Sequence, residues 1–312
     1  MRHALAVFLS VFALWVIMAP AGGGLAHAGY DQAFEAYGKK DFSAAFKLAR
    51  EAATNGKDSR AQAMLGGLYA EGLGVARDLG EARKWFSSAA EQGHAGAQYD
   101  LALMLIDGRA GQKDLASAFE YFLAAAKQNL PWAQHWVANF YAGYDGRTPD
   151  WAKTVEWLTK SAEQKYAKAQ YDLGGLYFEG KGVEKNHIKA AHWIGKAASL
   201  GLPEAALGYG VMVLRGQGVK QNEEFGAKWL LFAAEKGNAA AQNLLASLYE
   251  KGRGVQANAV EAAKWYLIST PGDRVEPEIQ KFLDSLTPEQ MNNAKTRAAD
   301  WIKNYIAAQR QG

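Results

Sequence analysis

Three acidic residues recur at one spacing and are the first candidates for chemistry. Glu71, Asp107 and Glu179 lie 36 and 72 residues apart, and two carboxylates on neighbouring elements can act as acid and base when burial separates their pKa values. The same position reads Gly, Arg and Lys in the other segments at this spacing, and a glycine follows each of the three acids. Polar residues at exposed turns are usually solvated. We therefore predict no catalytic residue and no enzyme activity.

Other reactive residue types are absent from the sequence or poorly placed for chemistry. The chain has no Cys, which excludes disulfides, thiol catalysis and Cys-ligated metals. His187 and His192 are five residues apart, on different helix faces, and no HExxH motif occurs. The segment Gly72-Leu73-Gly74 is not followed by Gly-Lys-Ser/Thr, and no G-x-S-x-G motif occurs. The sequence predicts neither a metal nor a cofactor.

Composition narrows the class of protein and of partner. The 312 residues are 49% hydrophobic and 21% charged, which excludes a disordered chain and a polytopic membrane protein. The formal net charge is +3, with both signs spread along the chain. A nucleic-acid-binding protein gathers Lys and Arg on one face instead, so no nucleic-acid partner is expected.

The N-terminus has the order of a secretory signal peptide. Met1-Arg2-His3 is basic, Ala4 to Ala19 are apolar except for Ser10, and Ala26-His27-Ala28 offers a cleavage site. The apolar stretch is shorter than the roughly 20 residues of a spanning helix. We expect residues 1–28 to be removed and the chain to act in the periplasm. An uncleaved anchor is the alternative.

A repeat of 36 residues organises most of the remaining chain. Large aromatic residues mark one position of this repeat, and alanines mark another. The two series are Trp85, Tyr121, Trp157, Trp193, Trp229 and Trp265, and Ala61, Ala97, Ala133, Ala169, Ala205 and Ala241. Six units without insertion or deletion predict a stack of helical repeats.

Each unit divides into two helices. In one unit, Ala169, Leu173 and Leu176 form a helical stripe that stops at Gly180-Lys181-Gly182-Val183. A second helix follows through Trp193 to Gly201. One such pair cannot bury its own apolar stripe, but stacked neighbours can.

These motifs resemble the Sel1-like repeat family, relatives of tetratricopeptide repeats. The resemblance rests on one motif, which is complete in residues 173–198. The motif reads Leu-Gly-x-Leu-Tyr, then Gly-x-Gly-Val, then Asn-x-x-x-Ala-x-x-Trp, then Ala-Ala. The resemblance implies an all-α, right-handed superhelical solenoid with six repeats over 61–270. Residues 29–60 are similar to a tetratricopeptide unit without Gly-x-Gly-Val, an atypical opening repeat.

After Thr270 the period fails, and residues 271–312 are predicted to form a helical cap. Thr287-Pro288-Glu289-Gln290 is typical of a helix start, with Thr as the cap residue and Gln three positions later. Terminal units must cover the open end of a solenoid to keep it soluble.

The recurring tryptophans are expected to be core residues between repeats. Replacing one by Ala would then cost about 3–5 kcal/mol of stability through cavity formation. The alternative interpretation is a platform on which sugars stack. The core interpretation is favoured because the aromatic position repeats with the frame.

Non-repeating positions of the first helices form the predicted binding surface, here called the first-helix wall. The resemblance to tetratricopeptide arrays implies that these positions line a concave groove, where exposed aromatic residues are typical anchors. The wall consists of Tyr99, Leu103, Ile106, Trp132, His135, Asn139, Tyr171, Phe178, Leu207 and Val211. Two nearby loops, 108–111 and 144–149, lack Gly-x-Gly-Val. One interpretation is that these loops tolerate sequence change and have lost the motif. The other is that they contact a ligand.

The resemblance implies a non-catalytic scaffold or adaptor that binds a segment of another protein of the periplasm or envelope. Exported relatives suggest control of an envelope signalling or exopolysaccharide system. Contact with a membrane would occur only through a partner or an uncleaved signal. The alternative is a cell-wall protein that binds or hydrolyses peptidoglycan or β-lactams, although those relatives typically carry a disulfide in each unit, and this chain has no Cys.

Overall fold

The computed structural model describes residues 28–55, 57–270 and 276–311. Residues 1–27 of the predicted signal peptide lie outside these ranges, so the structure does not test the export prediction. In the described residues the chain forms sixteen helices and no strand. No described helix combines the length and apolar character needed to cross a bilayer.

The chain divides into two compact units, Met1–Trp157 and Leu158–Gly312. The helices of the first unit are α1 Ala28–Gly38, α2 Phe42–Asn55, α3 Ser59–Glu71, α4 Leu79–Glu91, α5 Ala95–Asp107, α6 Leu115–Lys127, α7 Pro131–Tyr141 and the greater part of α8 Trp151–Glu163. Those of the second unit are α9 Ala167–Glu179, α10 His187–Ser199, α11 Pro203–Arg215, α12 Glu223–Glu235, α13 Ala239–Lys251, α14 Ala259–Ser269, α15 Pro277–Asp284 and α16 Pro288–Gln311. Within each unit, consecutive helices pack against one another, as predicted for an all-α solenoid.

The repeated polar and glycine residues set the ends of the helices. The Asn or Asp of the motif is the N-cap of the second helix, where its side chain accepts a backbone N–H, as Asn222 does from Phe225 at 2.9 Å. A left-handed glycine ends the first helix, as Gly216 does at φ 68°. The next glycine, Gly218, also has positive φ, and a Cβ atom there would lie 1.9 Å from the His187 carbonyl oxygen. This close backbone approach explains why the turn needs a second glycine.

The core places the large buried residue one position after the tryptophan. The buried series is Phe86, Phe122, Leu158, Ile194, Leu230 and Tyr266, all no more than 6% exposed. In the recurring aromatic series, only Trp265 is buried, at 2%. The other five residues of the series are partly exposed. The expectation that every member of the series is a core residue is therefore wrong as to full burial, although Trp85, Tyr121, Trp157 and Trp229 pack against the buried clusters. Adjacent residues are about 100° apart around a helix, so this aromatic series faces a different side from the buried series and needs another element to cover it.

The last helix explains why Trp265 differs from the other residues of the series. Thr287 and Gln290 exchange hydrogen bonds of 3.0 and 3.2 Å through their side chains and backbone N–H groups, the capping box predicted for this helix start. The ring of Trp301 on α16 lies 5.7 Å from that of Trp265. The α16 helix therefore covers the end of the tryptophan series.

Candidate functional site

The first-helix wall differs between the two units. Tyr99, Leu103, Ile106 and His135 are no more than 9% exposed, so the expectation that they present exposed anchors is wrong. Tyr99 packs edge-on against Phe122, with ring centroids 5.5 Å apart. Helix α5, which carries three of these residues, is buried from Ala95 to Ile106.

The remaining six wall residues are partly exposed. Trp132 and Asn139 lie on α7 of the first unit, and the other four, Tyr171, Phe178, Leu207 and Val211, lie on α9 and α11 of the second. All four pack against the buried core of their unit while part of each side chain faces solvent. Burial raises the pKa of the Tyr171 phenol, and the nearby carboxylates of Asp172 and Glu204 raise it further. Partner binding at these residues stays a prediction.

Two of the three recurring carboxylates form ion pairs with basic residues of their own turns. Asp107 is exposed and pairs with Arg109 at 2.5 Å, and Glu179 pairs with Lys181 at 2.6 Å. Each ion pair joins residues two positions apart in one turn. Burial raises the pKa of Glu71. The residues that the structure describes contain no group of three His, Asp or Glu placed to hold a metal ion.

A buried carboxyl on α5 was not anticipated from the sequence. Asp100 is 5% exposed, and burial, together with the negative charge of Glu71, raises its pKa to about 8. Its side chain is thus mostly protonated and uncharged at neutral pH. The sequence pattern does not predict this burial, because the equivalent positions hold Met64, Trp136, Asp172, Gly208 and Leu244, and the matching Asp172 is only partly buried.

The two irregular loops pack against the repeat that precedes each of them. The Arg147 guanidinium lies 4.4 Å above the Phe119 ring and pairs with Asp145 at 2.6 Å. In the other loop, Arg83 donates a hydrogen bond to the Ala110 carbonyl oxygen at 3.1 Å. Cation–π contact and hydrogen bonding thus give both loops a packing role between neighbouring repeats.

A concave site lies elsewhere, on the second helices of the second unit. This site, here called the second-helix cleft, has a volume of about 710 Å³. Its walls come from the ends of α8 and α9, from α10, and from single turns of α11 and α12. The lining residues are Ala162, Glu163, Lys165, Gln170, Ala191, His192, Trp193, Gly195, Lys196, Ser199, Leu200, Tyr209, Phe225 and Trp229.

Four aromatic rings dominate the cleft. The Tyr209 ring meets Trp229 at 5.6 Å and Phe225 at 6.4 Å, both edge-on. The Lys196 ammonium lies 4.7 Å from the centre of the Trp193 ring. Such partly exposed rings bind apolar groups well because they bury large areas with few rotatable bonds.

Two residues of the cleft differ from those at equivalent positions of the other repeats, and together they shape it. Gly195 stands where the other repeats have Ser, Leu or Thr, and Tyr209 stands where they have Leu or Val. The two changes fit each other, because a Cβ atom on Gly195 would lie 3.0 Å from the Tyr209 ring. The sequence signal for this site is the unusual residue at each of these two repeat positions. Residues that recur in every repeat do not indicate it.

Comparisons with known proteins agree with this architecture. The family model for the Sel1 repeat matches residues 29–57, 59–94, 95–130, 133–166, 167–202, 203–238 and 239–269. Its first segment is the unit that the sequence pattern separated as atypical, so seven repeats are present. A comparison with curated proteins finds no significant match.

Two solved structures resemble the chain over most of its length. A protective antigen of uropathogenic Escherichia coli, which displays an SLR fold, is 31% identical with a TM-score of 0.82 over 90% of this chain. This chain spans 62% of that protein's length. A Sel1 repeat protein from Oxalobacter formigenes is 25% identical, with a TM-score of 0.71 over 80% of this chain and 99% of the other.

Proposed function

Because this chain belongs to the Sel1 repeat family, whose members generally mediate protein–protein interaction, we propose that it is an exported, non-catalytic scaffold. It binds a segment of a partner protein of the periplasm or envelope. Membership of the family supports the general class of function. The signal-peptide pattern of residues 1–28 supports export.

The observation that carries the proposal is the half-exposed wall of α9 and α11. Tyr171, Leu207 and Val211 keep apolar surface in solvent, although the repeat has buried core positions for residues of this size. Packed helices hold them in place, so little conformational entropy is lost when a partner binds.

The proposed location has a further line of support. The E. coli relative is a protective antigen, which supports a place at the cell envelope. Regulation of an envelope signalling or exopolysaccharide system is the specific role we propose there. Cell fractionation, followed by N-terminal sequencing, tests the address. We expect a periplasmic protein that begins at Gly29, and a cytoplasmic protein that retains Met1 would contradict the proposal.

Site-specific photo-crosslinking in intact cells tests the binding surface. A photoreactive amino acid is placed at Tyr171 or Leu207, with exposed Glu289 on α16 as the control position. We expect both wall positions to crosslink to the same envelope protein and Glu289 to give no such adduct. Identical adducts from all three positions, or none from the wall, would contradict the proposal.

The non-catalytic part of the proposal has its own test. Purified protein should not turn over a β-lactam and should not retain muropeptides. Turnover that disappears in Glu71→Gln or Asp107→Asn would show an enzyme instead.

A further inference from the structure

In the first unit, two first helices, α3 and α5, each carry a glutamine near the start that uses both ends of its amide. Gln98 is buried and donates from Nε2 to the Ala90 carbonyl oxygen at 3.2 Å. Its Oε1 accepts from Gln128 Nε2 at 2.9 Å, thirty residues later in the chain. Gln62 likewise accepts from Gln92, at 2.6 Å. The amide pair thus satisfies the buried acceptor within the repeat.

The equivalent glutamine of the second-helix cleft lacks its donor. Gln170 is 2% exposed and donates to the Ala162 carbonyl oxygen at 2.9 Å. Thirty residues later stands Leu200, which has no N–H in its side chain and is 49% exposed. Among the described residues, no group donates to Gln170 Oε1. A buried acceptor without a partner is unfavourable, and this one belongs to a residue that lines the cleft.

The apolar part of the cleft is equally incomplete. Leu200 and Phe225 are 49% and 43% exposed at its edge, and Trp193 and Trp229 are only partly buried. The buried Nε1 of Trp229 also has no partner among the described residues. The cleft therefore combines exposed apolar surface with one buried acceptor and one buried donor.

Charge at the rim is unevenly distributed. Lys165 and Lys196 contribute two positive charges, whereas Glu163 contributes one negative charge. An anionic group in the ligand would complement this rim.

We propose that the second-helix cleft binds a partner peptide in which an apolar side chain adjoins an acidic residue. The apolar side chain lies among Trp193, Tyr209 and Trp229, and a peptide N–H beside it donates to Gln170 Oε1. The acidic residue lies toward Lys165 and Lys196. The choice of a peptide rests on the proposed protein-binding function, whereas the incomplete cleft is observed independently of it.

A peptide fits these groups better than a saccharide does. A peptide unit supplies one N–H and one C=O next to an apolar side chain, which is the combination that the cleft lacks. A pyranose carries hydroxyl groups around its whole ring and needs several amide or carboxylate partners. Here one carboxylate, one free amide oxygen and an apolar edge formed by Leu200 and Phe225 are available.

Titration of the full-length chain with short probes tests the proposal. The probes are N-acetyl-Asp-Leu-amide, N-acetyl-Lys-Leu-amide and N-acetylglucosamine. The readout is the indole ¹⁵N–¹H signals of the ten tryptophans, with Trp193 and Trp229 assigned from Trp→Phe variants. We expect the acidic peptide to shift these two signals saturably and to leave Trp85 unmoved. The basic peptide should bind more weakly.

Substitutions at one position separate the hydrogen bond from apolar contact. Leu200→Gln introduces the amide pair that the first unit has. It should lower the affinity for the acidic peptide about tenfold, because Gln170 Oε1 then accepts from the new glutamine. Leu200→Ala leaves that oxygen free and should weaken binding less. Leu244→Gln makes the same change at another exposed leucine and should leave affinity unchanged.

Four results would overturn the proposal. They are shifts from N-acetylglucosamine alone, no shift from any probe, equal binding of the two peptides, and equal affinities of Leu200→Gln and the parent. Crosslinking at the first-helix wall would be unaffected by any of them, so failure of this inference is distinguishable from failure of the proposed function.

Discussion

The region of α4 and α5 in the first unit and that of α10 and α11 in the second are built on the same frame. Phe86 and Ile194 fill equivalent buried positions, 1% and 6% exposed. The surfaces above them differ, because the first region carries Gln92 where the second carries Leu200. Gln92 thus donates to the glutamine acceptor of the first region, whereas the second region leaves the equivalent acceptor of Gln170 and four aromatic rings available.

Positions that recur in every repeat and positions that differ in one repeat therefore serve separate roles. Columns that stay constant hold neighbouring helices together. Gly195 and Tyr209 both differ from the residues at equivalent positions of the other repeats. Such paired differences indicate a surface that is not required for packing between repeats.

The largest expected effect tests whether the frame is common to both regions. Phe122→Ala and Leu230→Ala each remove a side chain that is fully buried. Each should lower the free energy of unfolding by about 3–4 kcal/mol, through lost burial and cavity formation. Urea unfolding followed by the helical circular dichroism signal measures this. A loss below about 1 kcal/mol in either variant would show that the two units do not share the buried series.

A pH effect should separate the two regions. His94 caps α5, its Nδ1 accepting from the Ala97 N–H at 3.1 Å. Burial lowers its pKa to about 4; the nearby Asp58 carboxylate partly opposes this, and Arg60 lowers the pKa further. The equivalent Leu202 makes no side-chain cap, so the second region should lack this response.

The sign follows from which state binds the proton. Between pH 6.5 and pH 4 the unfolded chain is protonated at His94 while the folded chain is not, so the contribution of His94 to stability is full above pH 6.5 and is lost as the pH falls. We expect a loss of about 2 kcal/mol, allowing for partial exposure of the ring. His94→Asn, which copies the cap at Asn238, should flatten the profile in urea midpoints measured from pH 4 to 7.5. An unchanged profile would contradict this assignment.

A smaller effect sharpens the contrast between the two adjacent columns. Trp193 is partly exposed, so Trp193→Ala should cost only about 1–2 kcal/mol of stability, less than Leu230→Ala. The same urea titration compares the two variants. A larger loss for Trp193 would restore the tryptophan series as the core.

The smallest effect concerns the missing donor. Leu200→Gln should raise the free energy of unfolding by about 1 kcal/mol, because Gln170 Oε1 gains the partner that Gln98 has. Leu244→Gln is the control and should not raise it. Equal effects in the two variants would mean that Gln170 is not short of a partner.

The sequence predicts the frame well, because its period is strict and its caps are local. Helix pairs, glycine turns and the Thr287 helix start all follow from residues a few positions apart. The period could not decide between Trp229 and Leu230, since both columns repeat every 36 residues and only packing shows which one faces inward.

The candidate site was less predictable. The exposure of Tyr99 depends on neighbours such as Phe122 on another helix, which column patterns do not reveal. The second-helix cleft depends on the fit of Tyr209 over Gly195 and on the absence of a donor at Leu200. Each is a relation between two distant residues, and neither residue alone signals a site.

The central claim is that the departures, and not the frame, create the recognition surface. Its most direct test is the dissociation constant of N-acetyl-Asp-Leu-amide for a chain regularised to the first-unit pattern. That chain carries Gly195→Leu, Leu200→Gln, Tyr209→Leu and Phe225→Ser. We expect binding to fall at least about thirtyfold, because several contacts are lost together, while the urea midpoint stays the same or rises. Unchanged affinity in a folded, regularised chain would contradict it.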